Sequence, residues 1–172
     1  MRLFVAINLN KDTKKRLLAL RDELSSRSER GSFTMAENLH LTLAFLGECD
    51  IKQAAAAKAA VDAVPIEPFD LVIERLGRFK GRGDRGAGGE DIWWAGVREN
   101  AALLDMQREL TVKLIAAGFS LDTRKYSPHI TLGRRVVTDA VPRRIEPFGE
   151  TVGKIDLMLS ERVGGRLTYT KL

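Results

Sequence analysis

The chain has 172 residues, 44% of them hydrophobic, enough to bury a real core and to form a single domain over 1–172, of two lobes at most. Lys and Arg number 28 against 23 Asp and Glu, a net charge of +5 with a pI of about 9.6, which favours an anionic partner such as a nucleic acid, a nucleotide or a phosphate ester. One cysteine, Cys49, excludes an intramolecular disulfide framework and a thiolate metal cluster, and its acidic neighbours Glu48 and Asp50 make it a poor nucleophile.

Met1-Arg2 leads straight into an alternating pattern rather than a secretory leader. Leu3, Val5, Ile7 and Leu9 alternate with Arg2, Phe4, Ala6 and Asn8, a half-buried strand. Asn10 is placed to cap a helix running to about Ser28, with Leu17, Leu20 and Leu24 on one stripe. A strand is predicted from Leu39 to Leu46, ended by Gly47, followed by an alanine-rich helix over 51–63 that stops before Pro65. Gln53 to Val64 is interrupted by Lys58 and Asp62 and cannot span a membrane, so the expected location is the cytoplasm.

Strands are predicted at 69–76 and 91–97. Between them, Gly77 to Glu90 is glycine-rich and basic but has neither the P-loop order nor a GxGxxG opening a helix. It reads as a solvent loop, with a flexible basic flap over a phosphate backbone as the functional alternative. A helix from about Asn100 to Ala117 carries Leu103, Met106, Leu110 and Leu114 at helical spacing, with Gly118 as its C-terminal signal. The pattern then gives a strand over Pro128 to Arg134, a proline-containing connection, alternation at Ile155, Leu157 and Leu159, and a last strand ending at Leu172. Strands and helices interleave with links of uneven length, which points to α+β with mainly antiparallel sheets rather than a doubly wound parallel sheet.

The only two histidines lie in one repeated pattern, His40-Leu41-Thr42-Leu43 and His129-Ile130-Thr131-Leu132. The motifs are 89 positions apart (129 − 40), close to half the chain, which suggests two related halves that each contribute one motif strand. On a strand, residues i and i+2 share a face. Each segment therefore presents a His and a Thr together and buries two aliphatic residues behind them. With an ordinary pKa near 6.5, one imidazole can be neutral while the other is charged at neutral pH. Flanking a phosphodiester, such a pair can act as base and acid. The threonine hydroxyls can bond the phosphoryl oxygens as charge develops on them.

Other readings are weaker. Neither motif has a Cys, Asp or Glu at familiar metal-ligand spacing, so neither a metal nor any other cofactor is expected. No Gly-x-Ser-x-Gly elbow supports serine hydrolase chemistry. Arg134, Arg135, Arg162 and Arg166 lie near the motifs, and Arg134, at the end of the second motif strand, is the best candidate to reach a shared phosphate. Phe4 and Phe45 could stack a base, but core packing is the expected role of both.

Asn38 to Glu48 and Tyr126 to Arg134 resemble the two signatures of the 2H phosphoesterase superfamily, and within it the RNA 2′,3′-cyclic phosphodiesterases historically called 2′-5′ RNA ligases. Arg2-Leu3-Phe4-Val5-Ala6-Ile7, Trp94-Ala95-Gly96-Val97 and Ser160…Gly165…Tyr169 extend the resemblance nearly end to end. Two departures bear on substrate contacts: Phe33 stands for a family Trp, and Glu161 follows Ser160. The resemblance implies a bilobed, pseudo-symmetric fold with outer helices around a central cleft. It also implies metal-independent hydrolysis of RNA 2′,3′-cyclic phosphate ends; the expected state of the chain is a monomer. His40 would then protonate the departing 3′-oxygen, His129 would activate water, and Thr42 and Thr131 would hold the phosphate. The rival readings are a related enzyme acting on small cyclic or 2′-5′ nucleotides and a non-catalytic module that binds RNA ends.

Overall fold

The computed structural model describes residues 1–81 and 90–172. Leu3, Val5 and Ile7 of β1 (Arg2–Asn8) face the main core, as their alternation requires. The opposite face is also covered: Phe4 and Ala6 pack with Met158 and Tyr169 in a second, smaller cluster, so β1 is buried on both sides rather than one. Asn10 caps α1 (Lys11–Ser26) by accepting from the Thr13 amide at 2.9 Å, and Leu17, Leu20 and Leu24 form its buried stripe. The helix ends at Ser26 because the chain turns at once into an unpredicted strand, β2 (Ser28–Phe33).

A short 3-10 turn at Ala36–Asn38 leads into β3 (His40–Glu48), the first motif strand. Asp50 and Gln53 form a reciprocal capping box at the start of α2 (Ile51–Asp62). β4 (Phe69–Phe79) runs three residues past its predicted end, into the glycine-rich stretch. Residues 82–89, the centre of that stretch, lie outside the described residues, and so does its reading as a loop or flap. Then come β5 (Asp91–Val97), α3 (Ala101–Ala116), the second motif strand β6 (His129–Thr138), β7 (Arg143–Val152), β8 (Asp156–Val163) and β9 (Arg166–Lys171). β7 occupies much of what reads in the sequence as a connection.

The strands form two antiparallel sheets, one of four in the order β3-β1-β8-β9 and one of five in the order β2-β6-β5-β4-β7. The α+β class with mainly antiparallel sheets is thus realised. Leaving out β2, the second order repeats the first: a motif strand, its strand–helix–strand partner, and two more strands. Asn100 caps α3 through the Leu103 amide just as Asn10 caps α1, at nearly the spacing of the two histidines. The lobes are nevertheless not the two halves of the sequence, because the first sheet takes β8 and β9 from the C-terminal end.

The helices interlock the lobes. α1, which follows β1 of the first sheet, packs on β2, β6 and β7 of the second, with the Arg16 guanidinium 4.7 Å from the Phe148 ring. α2 packs on β8 and on α3, and Gln107 of α3 donates to the Leu43 carbonyl of β3 at 3.1 Å. The pairing β1–β3 and β5–β6 thus brings both motif strands to the junction of the sheets, where β3 and β6 meet. No described helix is long and apolar enough to cross a membrane.

Candidate active site

Strand alternation sorts the motif residues as their pattern requires. Leu41, Leu43, Ile130 and Leu132 are in the core, while His40, Thr42, His129 and Thr131 lie half-buried on the other face. The two rings are held alike. Nδ1 of His40 lies 2.7 Å from the Asn38 carbonyl, and Nδ1 of His129 lies 2.7 Å from the Ser127 carbonyl. A carbonyl can only accept, so in both rings Nδ1 carries a hydrogen and Nε2 is the nitrogen left for chemistry. In His40 that nitrogen sits 2.8 Å from the Thr42 hydroxyl.

Each imidazole is packed in aromatic rings. His40 has Phe4 at 5.0 Å and Tyr169 edge-on at 5.2 Å between centroids. His129 has Phe79 edge-on at 5.0 Å and Trp94 at 6.2 Å. The Trp94 indole crosses two glycines: a Cβ on Gly77 or Gly96 would come within 2.2 or 2.8 Å of it, which only glycine avoids. The Phe79–Trp94 pair around His129 escaped sequence reasoning, since Phe79 lies beyond the predicted end of its strand. Phe4 is buried as expected, but Phe45, expected in the core, is 68% exposed, because β3 is irregular there where it pairs with β1.

Arg134 does not end its strand. Gly133 pairs with Trp93 and Val136 with Asp91, so Arg134 and Arg135 together face Ile92 in a bulge, with Arg135 at a left-handed φ of 52°. The bulge redirects Arg134 while β6 continues to Thr138. Its guanidinium reaches both histidines electrostatically. Burial depresses the His40 pKa most, opposed by the Asn38 hydrogen bond and reinforced by the charges of Lys14, Arg134 and His129. Burial likewise depresses His129, opposed by Ser127 and reinforced by Arg134. Arg134 and both imidazoles therefore share one electrostatic neighbourhood. Arg166 instead pairs with Glu37, in the 3-10 turn just before β3, and only Arg162 is used locally in the closing hairpin, donating to the Gly165 carbonyl. Burial, aided by Asp50 and Glu48, raises the Cys49 thiol, in keeping with an inert cysteine.

Known proteins resemble this chain in sequence and in fold. Residues 7–87 match the family description "LigT like Phosphoesterase". The chain is 35% identical over 141 residues to the RNA 2′,3′-cyclic phosphodiesterase of Geobacillus stearothermophilus, an alignment covering 77% of this chain and 41% of that longer protein. It is 32% identical over 136 residues to the Thermotoga maritima protein of the same name, covering 78% of this chain and 70% of the relative. Among solved structures, E. coli LigT complexed with 3′-AMP superposes with a TM-score of 0.81 at 25% identity, over 99% of this chain and 94% of that one. The chain belongs to the LigT-like phosphoesterases of the two-histidine superfamily.

Proposed function

We propose that the protein hydrolyses RNA 2′,3′-cyclic phosphate ends to 2′-phosphates without a metal, with His40 as acid and His129 as base. The observation that carries this reading is the matched orientation of the rings: both Nδ1 atoms are tied to carbonyls, both Nε2 atoms are left to act, and one arginine biases both. Nε2 of His129 takes a proton from water as its oxygen attacks phosphorus. The P–O3′ bond breaks, and Nε2–H of His40 delivers its proton to the departing O3′. Thr42, Thr131 and Arg134 bind the non-bridging oxygens, whose charge grows in the transition state. One chain supplies both motifs, so a monomer suffices. The names of the relatives support the substrate class.

The pH dependence follows from the depressed imidazoles. The kcat/KM profile reports the free enzyme, where burial and Arg134 hold both groups below the ordinary value of about 6.5. Its bell is therefore expected on the acid side of neutrality. A bound phosphodiester anion favours the imidazolium and raises both values, so the kcat bell should lie at higher pH. Among the described residues no three His, Cys, Asp or Glu side chains converge as a metal-binding group, and both profiles should be unchanged in EDTA. The test is steady-state kinetics on a 2′,3′-cyclic nucleotide from pH 4 to 9, with and without chelator. Activity lost in EDTA and restored by Zn²⁺ or Mn²⁺ overturns the metal-free reading.

A polymer is favoured over a mononucleotide by a second observation. Ser32 of β2 pairs with Arg134, and with Arg30 and Arg135 it lines a groove of about 330 Å³ that also includes Gly31 and Glu90. Phosphates upstream of the cyclic end can follow this edge. Arg30→Ala and Arg135→Ala should weaken an oligonucleotide ending in a cyclic phosphate and flatten the salt dependence of its kcat/KM, leaving a cyclic mononucleotide nearly unaffected. Equal effects on both substrates would favour the small-nucleotide reading.

A further inference from the structure

The segments leading into the two motifs each grip the other motif. Tyr126, three residues before His129, donates its hydroxyl to the main-chain carbonyl of Thr42 at 2.8 Å. Thr34, six residues before His40, donates its hydroxyl to the main-chain carbonyl of Thr131 at 2.9 Å. The accepting carbonyls are the same position of the two motifs. Both donors are themselves anchored. The Thr34 amide bonds the Leu132 carbonyl at 2.9 Å, and its own carbonyl accepts from Arg21 at 2.7 Å. The Tyr126 ring packs against the main core, and its phenol is held neutral by burial, well above its ordinary pKa.

The Tyr126 bond is different from those that build the sheets, while Thr34 extends the β2–β6 pairing one residue past Phe33–Gly133 and adds its hydroxyl to the Thr131 carbonyl. β3 is an edge strand of the four-stranded sheet, so its outer side has no strand partner, and Tyr126 reaches it from the approach to β6. Thr34 stands where the chain leaves β2 of the five-stranded sheet and crosses toward β3 of the other. Each bond therefore acts at the junction, beside a histidine–threonine pair, and bears on the separation between the pairs.

We infer that Tyr126 and Thr34 are positioning residues, a crossed pair of hydroxyl latches that sets the distance between His40 and His129. The inference rests on the two-histidine reading proposed above. An acid and a base on two sheets must span one phosphorus, and an error near 1 Å in such placement lowers rates by about 10²-fold. Two latches at equivalent carbonyls hold both strands against sliding and against opening. The phosphate contacts themselves, Thr42, Thr131 and Arg134, are untouched by the latches, so substrate affinity is a separate quantity.

The test is Tyr126→Phe and Thr34→Val, singly and together, with Thr34→Ser as the conservative rescue. On a 2′,3′-cyclic mononucleotide each single variant should lower kcat about 10- to 100-fold with KM within about threefold, and Thr34→Ser should restore most of the rate. The double variant should lose less than the product of the single losses, because either change opens the same gap. Because the chain has only two histidines, NMR titration resolves both imidazoles without any assay. The step in the His40 titration caused by charging His129 should shrink in Tyr126→Phe while the thermal midpoint stays near the parent's. A kcat within threefold of the parent with an unchanged His–His titration step overturns the latch. Rate loss matched by an equal rise in KM and a collapsed midpoint does so too, by making the role merely structural. An inactive parent whose titrations still respond to Tyr126→Phe would sink the proposed reaction while leaving the geometric role intact.

Discussion

Replacing His129 with alanine is expected to lower kcat by about 10²–10⁴-fold, the scale of a lost general base. KM should barely move if, as proposed, Thr42, Thr131 and Arg134 hold the phosphate. His40→Ala should cause a loss of the same order by leaving the 3′-oxygen to depart without a proton. In the proposed mechanism the two imidazoles act on one transition state, so the double variant should be little worse than either single one. His40 packs on Phe4 and Tyr169, so His40→Gln is the better control against local collapse. The limbs of the residual pH profile assign the roles. A base must be deprotonated, so the acid limb is its titration and should vanish in His129→Ala. An acid must be protonated, so the alkaline limb should vanish in His40→Ala. The opposite pattern would exchange the roles, and a loss below tenfold in either variant would defeat the mechanism.

Arg134→Ala should lower kcat/KM by about 10²–10³-fold, comparable to removing one donor from a site where negative charge develops. It should also move the bell. The Arg134 charge disfavours protonation of His40 and His129, so removing it raises both pKa values and shifts the kcat/KM bell toward alkaline pH. Arg134→Lys keeps the charge but not the planar fork, so its bell should stay near the parent's while its height falls. Measuring the three profiles side by side separates field from hydrogen bonding. An alanine variant with an unmoved bell would mean that the guanidinium points away from the histidines in solution.

The parts of the fold written plainly in the sequence are those with one buried face. The motif strands could be read because Leu41, Leu43, Ile130 and Leu132 alternate with residues that the chain has reason to expose. The unread strands, β2 and β7, are the two edges of the five-stranded sheet. Ser28–Phe33 is mostly exposed and polar, and Arg143–Val152 carries Pro147, which an edge tolerates and a central strand does not. Polar edges guard against unwanted pairing, and that same polarity hides them from pattern reading. Arg134 could be guessed as a neighbour of the motif, but the bulge that turns it depends on pairing with β5. Thr34 carries no local mark, and Tyr126, though it opens the second signature, gives no sign of its contact, for their partners lie 97 and 84 residues away.

The order of strands in the four-stranded sheet has a consequence for synthesis. β1 is sandwiched between β3 and β8, and β8 follows it by about 150 residues, so β1 leaves the ribosome long before β8. The five-stranded sheet needs nothing beyond residue 152, so it can close first, with α1 already available to cover it. Phe4, the ring beneath His40, waits for Met158 and Tyr169 to complete its cluster. A nascent chain halted before β8 therefore holds His129 on a finished sheet and His40 on an unfinished one. On the proposed mechanism the two imidazoles come into register only when β8 and β9 dock.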